Sequence, residues 1–139
     1  EWSFSLSDEF SRPVVTGICN NSYFYEDLQL SEINIKARRD DTGTAFHGYI
    51  PENITLKTPV VYTVNYYDDY SFIGKHGVPT SLNYTTPPSG YGTRYTESSK
   101  GLLTGTVTAR VDATGVTGYD YAAFYYDERG RIIQSRTTN

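Results

Sequence analysis

The sequence predicts an all-β fold in which antiparallel β-hairpins, continued as a meander, form a sandwich or an open curled sheet with one long loop. Three observations predict it. Tyr is heavily used, with 14 copies beside six Phe and one Trp, and aromatic and β-branched side chains favour strands. Short segments alternate between apolar and polar residues, as half-buried strands do. Turn sequences that begin with Asp recur between those segments.

The length of 139 residues fits a single domain, residues 1–139, with room for one core. The sequence contains no Met and opens directly on the strand-like Glu1-Trp2-Ser3-Phe4. We therefore expect this domain to be a segment of a larger protein.

Five tetrads begin with Asp and end three residues later in Gly or Ser, and each predicts a turn. The Asp carboxylate accepts hydrogen bonds from backbone N–H groups two residues on, and the fourth residue provides a positive φ. Such a turn closes a short hairpin with a bulge. Asp40, Gly43, Asp112 and Gly115 are candidate turn residues on this basis. The tetrads are Asp8-Glu9-Phe10-Ser11, Asp40-Asp41-Thr42-Gly43, Asp68-Asp69-Tyr70-Ser71, Asp112-Ala113-Thr114-Gly115 and Asp127-Glu128-Arg129-Gly130.

Alternating apolar residues flank these turns and predict strands. Residues 116–126 run from the fourth tetrad into the fifth, and Ile132-Ile133-Gln134 leads out of it. We interpret this region as two consecutive hairpins that share one strand, a β-meander. The alternating residues are Trp2, Phe4 and Leu6 before the first tetrad, and Val107, Ala109 and Val111 before the fourth.

The stretch 25–39 is predicted as a strand with a bulge or bend. Its apolar residues alternate in two blocks whose phase slips near Ser31-Glu32, and a bulge accounts for such a slip. A helix is the alternative, because several residues in this stretch are acceptable helix formers. The two blocks are Leu28 and Leu30, then Ile33, Ile35 and Ala37.

Residues 74–101 are predicted to form the long loop, because the composition changes there to Gly, Pro, Ser, Thr and Tyr. Loops beyond about 12–15 residues tend to be functional or disordered. This loop carries Tyr84, Tyr91, Arg94 and Tyr95, and exposed Tyr rings stack on sugars or anchor a protein partner. The alternative is that these tyrosines pack back on the sheet and pin the loop.

Charge and hydropathy exclude several classes of partner. The net charge of −4 comes from 16 acids and 12 bases without long blocks, so nucleic acid and anionic membranes are not expected partners. No apolar run approaches the roughly 18 residues that span a bilayer, so membrane insertion is not expected. Cys19 is the only Cys; it excludes an internal disulfide, and we expect a buried, inert thiol.

Catalytic and metal-binding chemistry finds little support. Adjacent carboxylates occur at Glu26-Asp27, Asp40-Asp41 and Asp68-Asp69, but neighbours on a strand point to opposite faces, whereas glycosidase carboxyls face each other across a sugar. His47 and His76 are distant in sequence and lack a clustered third ligand for zinc. The sequence therefore predicts no cofactor, no metal and no catalytic residue.

The fifth tetrad and its flanks resemble the Tyr-Asp repeat of the RHS/YD-repeat family, whose motif is Tyr-Asp, two residues, then Gly-Arg. Tyr126, Asp127, Gly130 and Arg131 match that motif. Two other segments resemble parts of it. Tyr67 and Asp68 match its first half without Gly-Arg, whereas Asp8 and Arg12 keep Asp and Arg with Ser in place of Tyr and Gly.

The resemblance implies a large secreted or cell-surface polypeptide, similar to RHS-type proteins of Bacteroidetes, in which hairpins coil into a shell, often around a toxin or effector. The chain would be a non-catalytic structural module. Its partners would be other segments of the same polypeptide, with protein cargo or glycan as further partners. On physical grounds we expect the four matching residues to have structural roles: covering a neighbouring strand, holding the turn, supplying the positive φ and lying on an adjacent Tyr ring. These roles belong, in that order, to Tyr126, Asp127, Gly130 and Arg131.

Two other functions stay open at this point. One is a carbohydrate-binding or adhesion module that uses the loop tyrosines. The other, more remote, is a glycoside hydrolase, which would need two carboxyls about 5–9.5 Å apart in one cleft.

Overall fold

Eight β-strands form one sheet in the computed structural model, which describes residues 2–20, 32–88 and 92–138. A single turn of 3-10 helix, Thr80–Leu82, is the only helical element within those ranges. The prediction of an all-β fold is confirmed. The strands are β1 Trp2–Ser7, β2 Pro13–Cys19, β3 Glu32–Arg39, β4 Tyr49–Pro51, β5 Val60–Asp68, β6 Ser99–Asp112, β7 Gly115–Tyr126 and β8 Ile132–Thr137.

The strand order is β4-β3-β1-β2-β5-β6-β7-β8, so the sheet is open and has β4 and β8 at its edges. Every neighbouring pair is antiparallel except β1 and β3, which are parallel. The sheet is therefore mixed, and its hairpins are antiparallel as predicted. The reason for the parallel pair is the direction of β2: it runs antiparallel to β1 and ends with Cys19 beside Trp2. β3 begins at that same end, with Glu32 beside Ser3.

Three of the five predicted turns close hairpins between consecutive strands. The first tetrad joins β1 to β2, the fourth joins β6 to β7, and the fifth joins β7 to β8. The predicted meander is thereby confirmed. At the fourth turn, Asp112 accepts a hydrogen bond from the N–H of Thr114 at 2.7 Å, and Gly115 has a φ of 117°.

The second tetrad forms a turn but not the predicted tight hairpin. Asp40 accepts hydrogen bonds from the N–H groups of Gly43 and Thr42, at its carbonyl and its carboxylate, both 2.9 Å long. The positive φ expected at Gly43 occurs instead at His47 and Gly48 (54° and 102°). The chain therefore needs residues 40–48 to pass from β3 to β4.

The third tetrad does not form the predicted turn. Asp68 itself has the positive φ, 77°, and Asp69 rather than Asp68 accepts the hydrogen bond from the Ser71 N–H, at 3.2 Å. The Asp68 carboxylate is unable to cap this turn because it is bound by Arg12, at 2.9 and 3.2 Å.

The stretch predicted as a strand with a bulge is a strand over Glu32–Arg39. The first part of the stretch lies outside the described residues. That part includes Leu28, Leu30, Ser31 at the phase slip, and the carboxylate pair Glu26-Asp27. The helical alternative is wrong for the described part.

The predicted long loop exists with different bounds, because it occupies residues 69–98 and β6 already begins at Ser99. Pairing of Ser99 with Asp68 extends the sheet into the Gly-rich region. Phe72, Val78 and Leu82 of the loop are buried, and the Phe72 ring stacks on Tyr66 with 4.2 Å between ring centroids. The loop therefore covers part of the sheet and completes the core.

Candidate functional site: two matching Asp–Arg turns and an aromatic loop

The first turn is held by the carboxylate of Asp8. Its Oδ1 accepts hydrogen bonds from the N–H groups of Phe10 and Arg12, each at 3.0 Å, and its Oδ2 accepts one from Arg12 Nε at 2.7 Å. The Ser11 N–H donates to the carbonyl of Asp8 at 3.0 Å. Ser11 takes the positive φ, 61°. Asp8 therefore accepts three backbone N–H groups of the turn, two at its carboxylate and one at its carbonyl.

The last turn repeats this arrangement bond for bond. Asp127 Oδ1 accepts from the N–H groups of Arg129 (2.9 Å) and Arg131 (3.0 Å), and Oδ2 accepts from Arg131 Nε at 2.7 Å. The Gly130 N–H donates to the Asp127 carbonyl at 3.1 Å, and Gly130 has a φ of 75°. These hydrogen bonds lower the pKa of Asp127, chiefly through the Arg131 N–H. Ser11 and Gly130 thus take the same place in two equivalent turns.

Arg12 also binds a second carboxylate, far away in sequence. Its Nη1 and Nη2 donate to Asp68 Oδ1 and Oδ2 at 3.2 and 2.9 Å, and its Cζ lies 4.3 Å from the centroid of the Tyr67 ring. Asp68 further accepts a hydrogen bond from the Gly101 N–H at 2.6 Å. We call Asp8, Arg12, Tyr67 and Asp68 the Arg12 clamp, since they join the first hairpin to β5.

Within the Arg12 clamp, hydrogen bonds pair the guanidinium of Arg12 with the carboxylates of Asp8 and Asp68. The hydrogen bonds from Arg12 hold the pKa of Asp68 below its usual value, and the Gly101 N–H adds to that effect. Bonding to Asp68 in turn raises the pKa of Arg12. Asp68 is therefore an ionised partner of a guanidinium, whereas a glycosidase general acid needs a raised pKa.

Arg131 does not have the ring contact that was expected of it. Its side chain is 69% exposed and bonds to Asp127, and no aromatic ring of the described residues lies beneath its guanidinium. The Arg–Tyr stacking occurs instead at Arg12 and Tyr67, at 4.3 Å. Tyr126 covers the neighbouring β6 and donates its hydroxyl to the carbonyl of Leu103.

A polar cleft of about 330 Å³ lies beside the Arg12 clamp. Both acidic and basic side chains line it. Its carboxylates include Asp8 and Asp68, which are bound by Arg12. The cleft presents hydrogen-bonding groups to solvent, with two Tyr rings in its wall. The other charged and aromatic residues that line it are Glu9, Phe10, Arg38, Arg39, Tyr49, Glu52, Tyr67 and Asp69.

A second charged cluster ties the loop to residues 40–48. Arg39 Nη2 donates to Asp41 Oδ1 at 3.0 Å and to Ser71 Oγ at 3.0 Å, and His76 Nε2 lies 3.3 Å from the same Asp41 oxygen. Burial raises the pKa of Asp41, but Arg39 and the hydrogen bonds outweigh it, so the pKa is lowered. Sequence analysis considered Asp41 and His76 separately and did not bring them together, because Arg39 and Ser71, like Asp41 and His76, lie more than 30 positions apart.

The two histidines, distant in sequence, approach each other in the fold. Burial lowers the pKa of His47, and the nearby charge of His76 contributes in the same direction. The His47 ring lies edge-on to Tyr119, with 5.0 Å between centroids. Within the described residues, no group of three or more His, Cys, Asp or Glu side chains is arranged to hold a metal ion.

Two of the four predicted loop residues, Tyr84 and Arg94, lie together. The Tyr84 ring packs edge-on against Tyr125, with 5.2 Å between centroids, and Arg94 Cζ lies 4.7 to 5.2 Å from the rings of Tyr70, Tyr84 and Tyr125. Tyr95 is exposed and donates its hydroxyl to Glu97 at 3.3 Å. Tyr91 lies outside the described residues. Arg94 thus packs against a cluster of three Tyr rings from the same chain.

Cys19, expected to be buried, is 3% exposed and ends β2.

Comparisons with protein-family models, curated proteins and solved structures found no match. The described residues contain no helix with the length and apolarity needed to cross a membrane.

Proposed function

We propose that the chain is a non-catalytic structural β-module of a larger secreted or cell-surface protein of RHS/YD-repeat type. It acts by packing against other segments of the same polypeptide. The observation that carries the proposal is the equivalence of the turns at Asp8 and Asp127, which use the same hydrogen bonds. Repetition of one hairpin device is characteristic of proteins that bury their strands by stacking repeated units.

The Arg12 clamp supports the same proposal. Every group in it serves to position backbone: Asp8 closes the turn, Arg12 bridges to Asp68, and Tyr67 lies under the guanidinium. A hairpin alone is marginal in water, so its attachment to a further strand is a structural requirement. The clamp supplies that attachment.

Carbohydrate binding by the loop tyrosines receives less support. Stacking on a sugar needs an exposed ring face, but Arg94 and Tyr125 already contact the Tyr84 ring. Tyr95 is the described loop residue that remains suited to such stacking, being 38% exposed. The glycosidase alternative receives less support still, since Asp68 is neutralised by Arg12.

The first test is the sequence encoded on either side of this segment. Further copies of Tyr-Asp-x-x-Gly-Arg are expected, with spacing that suits successive hairpins. A neighbouring catalytic domain without such copies would argue against the proposal.

The second test is a glycan array probed with the purified chain and with a Tyr95→Ala variant. No binding by either protein is expected. Binding that the Tyr95→Ala substitution abolishes would instead establish the carbohydrate-binding alternative.

A further inference from the structure

We propose that the outer edge of β8 is a docking site for an antiparallel strand that ends in an aromatic residue followed by Asp. Arg131 would hold that strand as Arg12 holds β5. The inference deepens the proposed function and rests on it, because it specifies the chemistry of the segment that packs next to this module.

The hairpins β1–β2 and β7–β8 match in register as well as in their turns. In the first, Leu6 faces Val15 and Ser7 faces Pro13, with a bulge between Leu6 and Ser7. The second has its bulge at the same place, since Tyr125 faces Gln134 and Tyr126 faces Ile132. β8 is therefore the counterpart of β2.

In the first hairpin, the outer edge of β2 is occupied by β5. Val15 faces Val64 and Thr16 faces Thr63, in antiparallel register. This register brings the C-terminal end of β5 to the N-terminal end of β2, where Arg12 binds Asp68 and lies over Tyr67. Arg12 is consequently only 24% exposed.

In the second hairpin, no strand of the described residues takes the corresponding position. β8 has β7 as its one strand neighbour in the described part of the chain. Arg131 uses Nε and its backbone N–H on Asp127, as Arg12 does on Asp8. No second carboxylate among the described residues is within ion-pair distance of Arg131, which is 69% exposed. Ile132, next to it, is 56% exposed.

Charge indicates which strand fits this edge. Residues 129–139 contain three Arg and no acidic residue, so a second copy of β8 paired antiparallel would bring Arg131 near Arg136 of the other copy. Like charges facing each other across strands are destabilising. A strand with Asp at its C-terminal end would instead place a carboxylate at the two unpaired Nη groups of Arg131, in the fork geometry that guanidinium favours.

The test is a fusion that offers such a strand within the same chain. A short Gly-Ser linker after Asn139 is followed by Val-Val-Tyr-Thr-Val-Asn-Tyr-Tyr-Asp, the sequence of β5. A strand that pairs antiparallel with β8 begins beside the C-terminal end of β8, so a short linker is long enough to connect the two. The effective concentration of the tethered strand at this edge is then in the mM range. The matched control tail ends in Asn instead of Asp.

The Asp tail is expected to melt about 3 °C above the Asn tail, as one partly exposed charged pair would produce in a domain of this size. Hydrogen exchange should slow in β8 with either tail. Arg131→Ala should abolish the difference between the tails. Arg129→Ala should preserve it, because Arg129 carries the same charge in the same turn but bonds to Asp127 only through its backbone N–H.

Equal melting of the two tails, or protection of β4 instead of β8, would overturn the inference. So would dimerisation of the untailed protein that protects β8, which would make a second copy the occupant. If these failures accompany Tyr-Asp-x-x-Gly-Arg copies in the flanking sequence, the proposed function stands and only the β8 site is lost. If the tails behave as expected but the flanks lack such copies, the edge site stands without that function.

Discussion

Arg12 contacts three side chains at once because its guanidinium is planar and its donors have fixed directions. Nε faces Asp8 while the two Nη atoms face Asp68, so one cation is shared by two carboxylates. The flat face of the same group lies over Tyr67. Lys would supply the charge without the fork or the flat face.

Arg12→Ala should lower the free energy of unfolding by about 1–2 kcal/mol. The value is at the lower end for charged hydrogen bonds because Asp68 is 34% exposed and solvent screens the pair. Arg38→Ala is the matched control: Arg38 is 57% exposed and pairs with Asp40, and its loss should cost less than about 0.5 kcal/mol. Urea denaturation of both variants measures this, and equal losses would contradict the importance of the clamp.

Acid should weaken the fold through Asp68. Since its pKa is lowered in the folded state, its contribution is fully present above the unfolded pKa of about 4 and is lost as pH falls through the folded pKa. Melting temperatures recorded from pH 7 to pH 2 should therefore drop below about pH 4. Asp68→Asn should start lower and show a shallower drop, and an unchanged slope would assign the acid sensitivity to other carboxylates.

At the scale of elements, glycine is required where a neighbouring backbone or aromatic ring comes too close to leave room for a Cβ. A Cβ on Gly17 in β2 would lie 2.0 Å from the carbonyl oxygen of Val60 and 2.8 Å from the Phe4 ring. A Cβ on Gly105 in β6 would lie 2.2 Å from Phe72. These glycines admit a neighbouring strand and a loop ring, respectively.

Gly17→Ala should destabilise the protein by about 2–3 kcal/mol, because the added methyl overpacks against backbone that has no room to move. Gly118→Ala is the control, since its Cβ would meet only the flexible guanidinium of Arg110. That change should be neutral within about 0.5 kcal/mol or slightly stabilising. Chemical denaturation measures both, and a tolerated Gly17→Ala would mean that β2 and β5 shift apart easily.

In its described part, the loop of residues 69–98 is attached to the sheet by side chains such as Arg94. Arg94→Ala should remove about 1 kcal/mol of stability, because its contacts with three Tyr rings are lost. Proteolysis within the loop should accelerate accordingly. Arg129→Ala serves as the control for loss of one positive charge and should leave the cleavage rate unchanged.

At the scale of the whole molecule, β1 lies between β2 and β3 in the sheet. It therefore joins the pair β3–β4 on one side to the strands from β2 to β8 on the other. Its inward residues Trp2, Phe4 and Leu6 are all buried. The long loop covers the sheet where a second sheet would lie in a sandwich. The stability of the molecule therefore depends on contacts between residues distant in sequence.

Hydrogen exchange should be slowest in the six strands that are paired on both sides, and fastest in β4 and on the outer edge of β8. Those six strands are β1, β2, β3, β5, β6 and β7. Mass spectrometry of exchanged protein resolves these strands. Faster exchange in β1 than in β4 would contradict the strand order.

The sequence alone determined the features that depend on neighbouring residues. Alternation at Trp2, Phe4 and Leu6 predicted β1, and the Asp-initiated tetrads predicted the hairpins at Asp8, Asp112 and Asp127, because an Asp carboxylate reaches backbone N–H groups two to four residues on. The same local rule failed at Asp68.

Tertiary structure decided what distant residues do to one another. Arg12 lies 56 positions from Asp68 and takes it away from its predicted turn. Parallel pairing of β1 with β3, burial of Phe72 and enclosure of Arg94 by Tyr rings likewise depend on which surfaces meet. The spacing of two residues in the sequence does not predict whether they meet in the fold, because closing loops of many different lengths costs similar chain entropy.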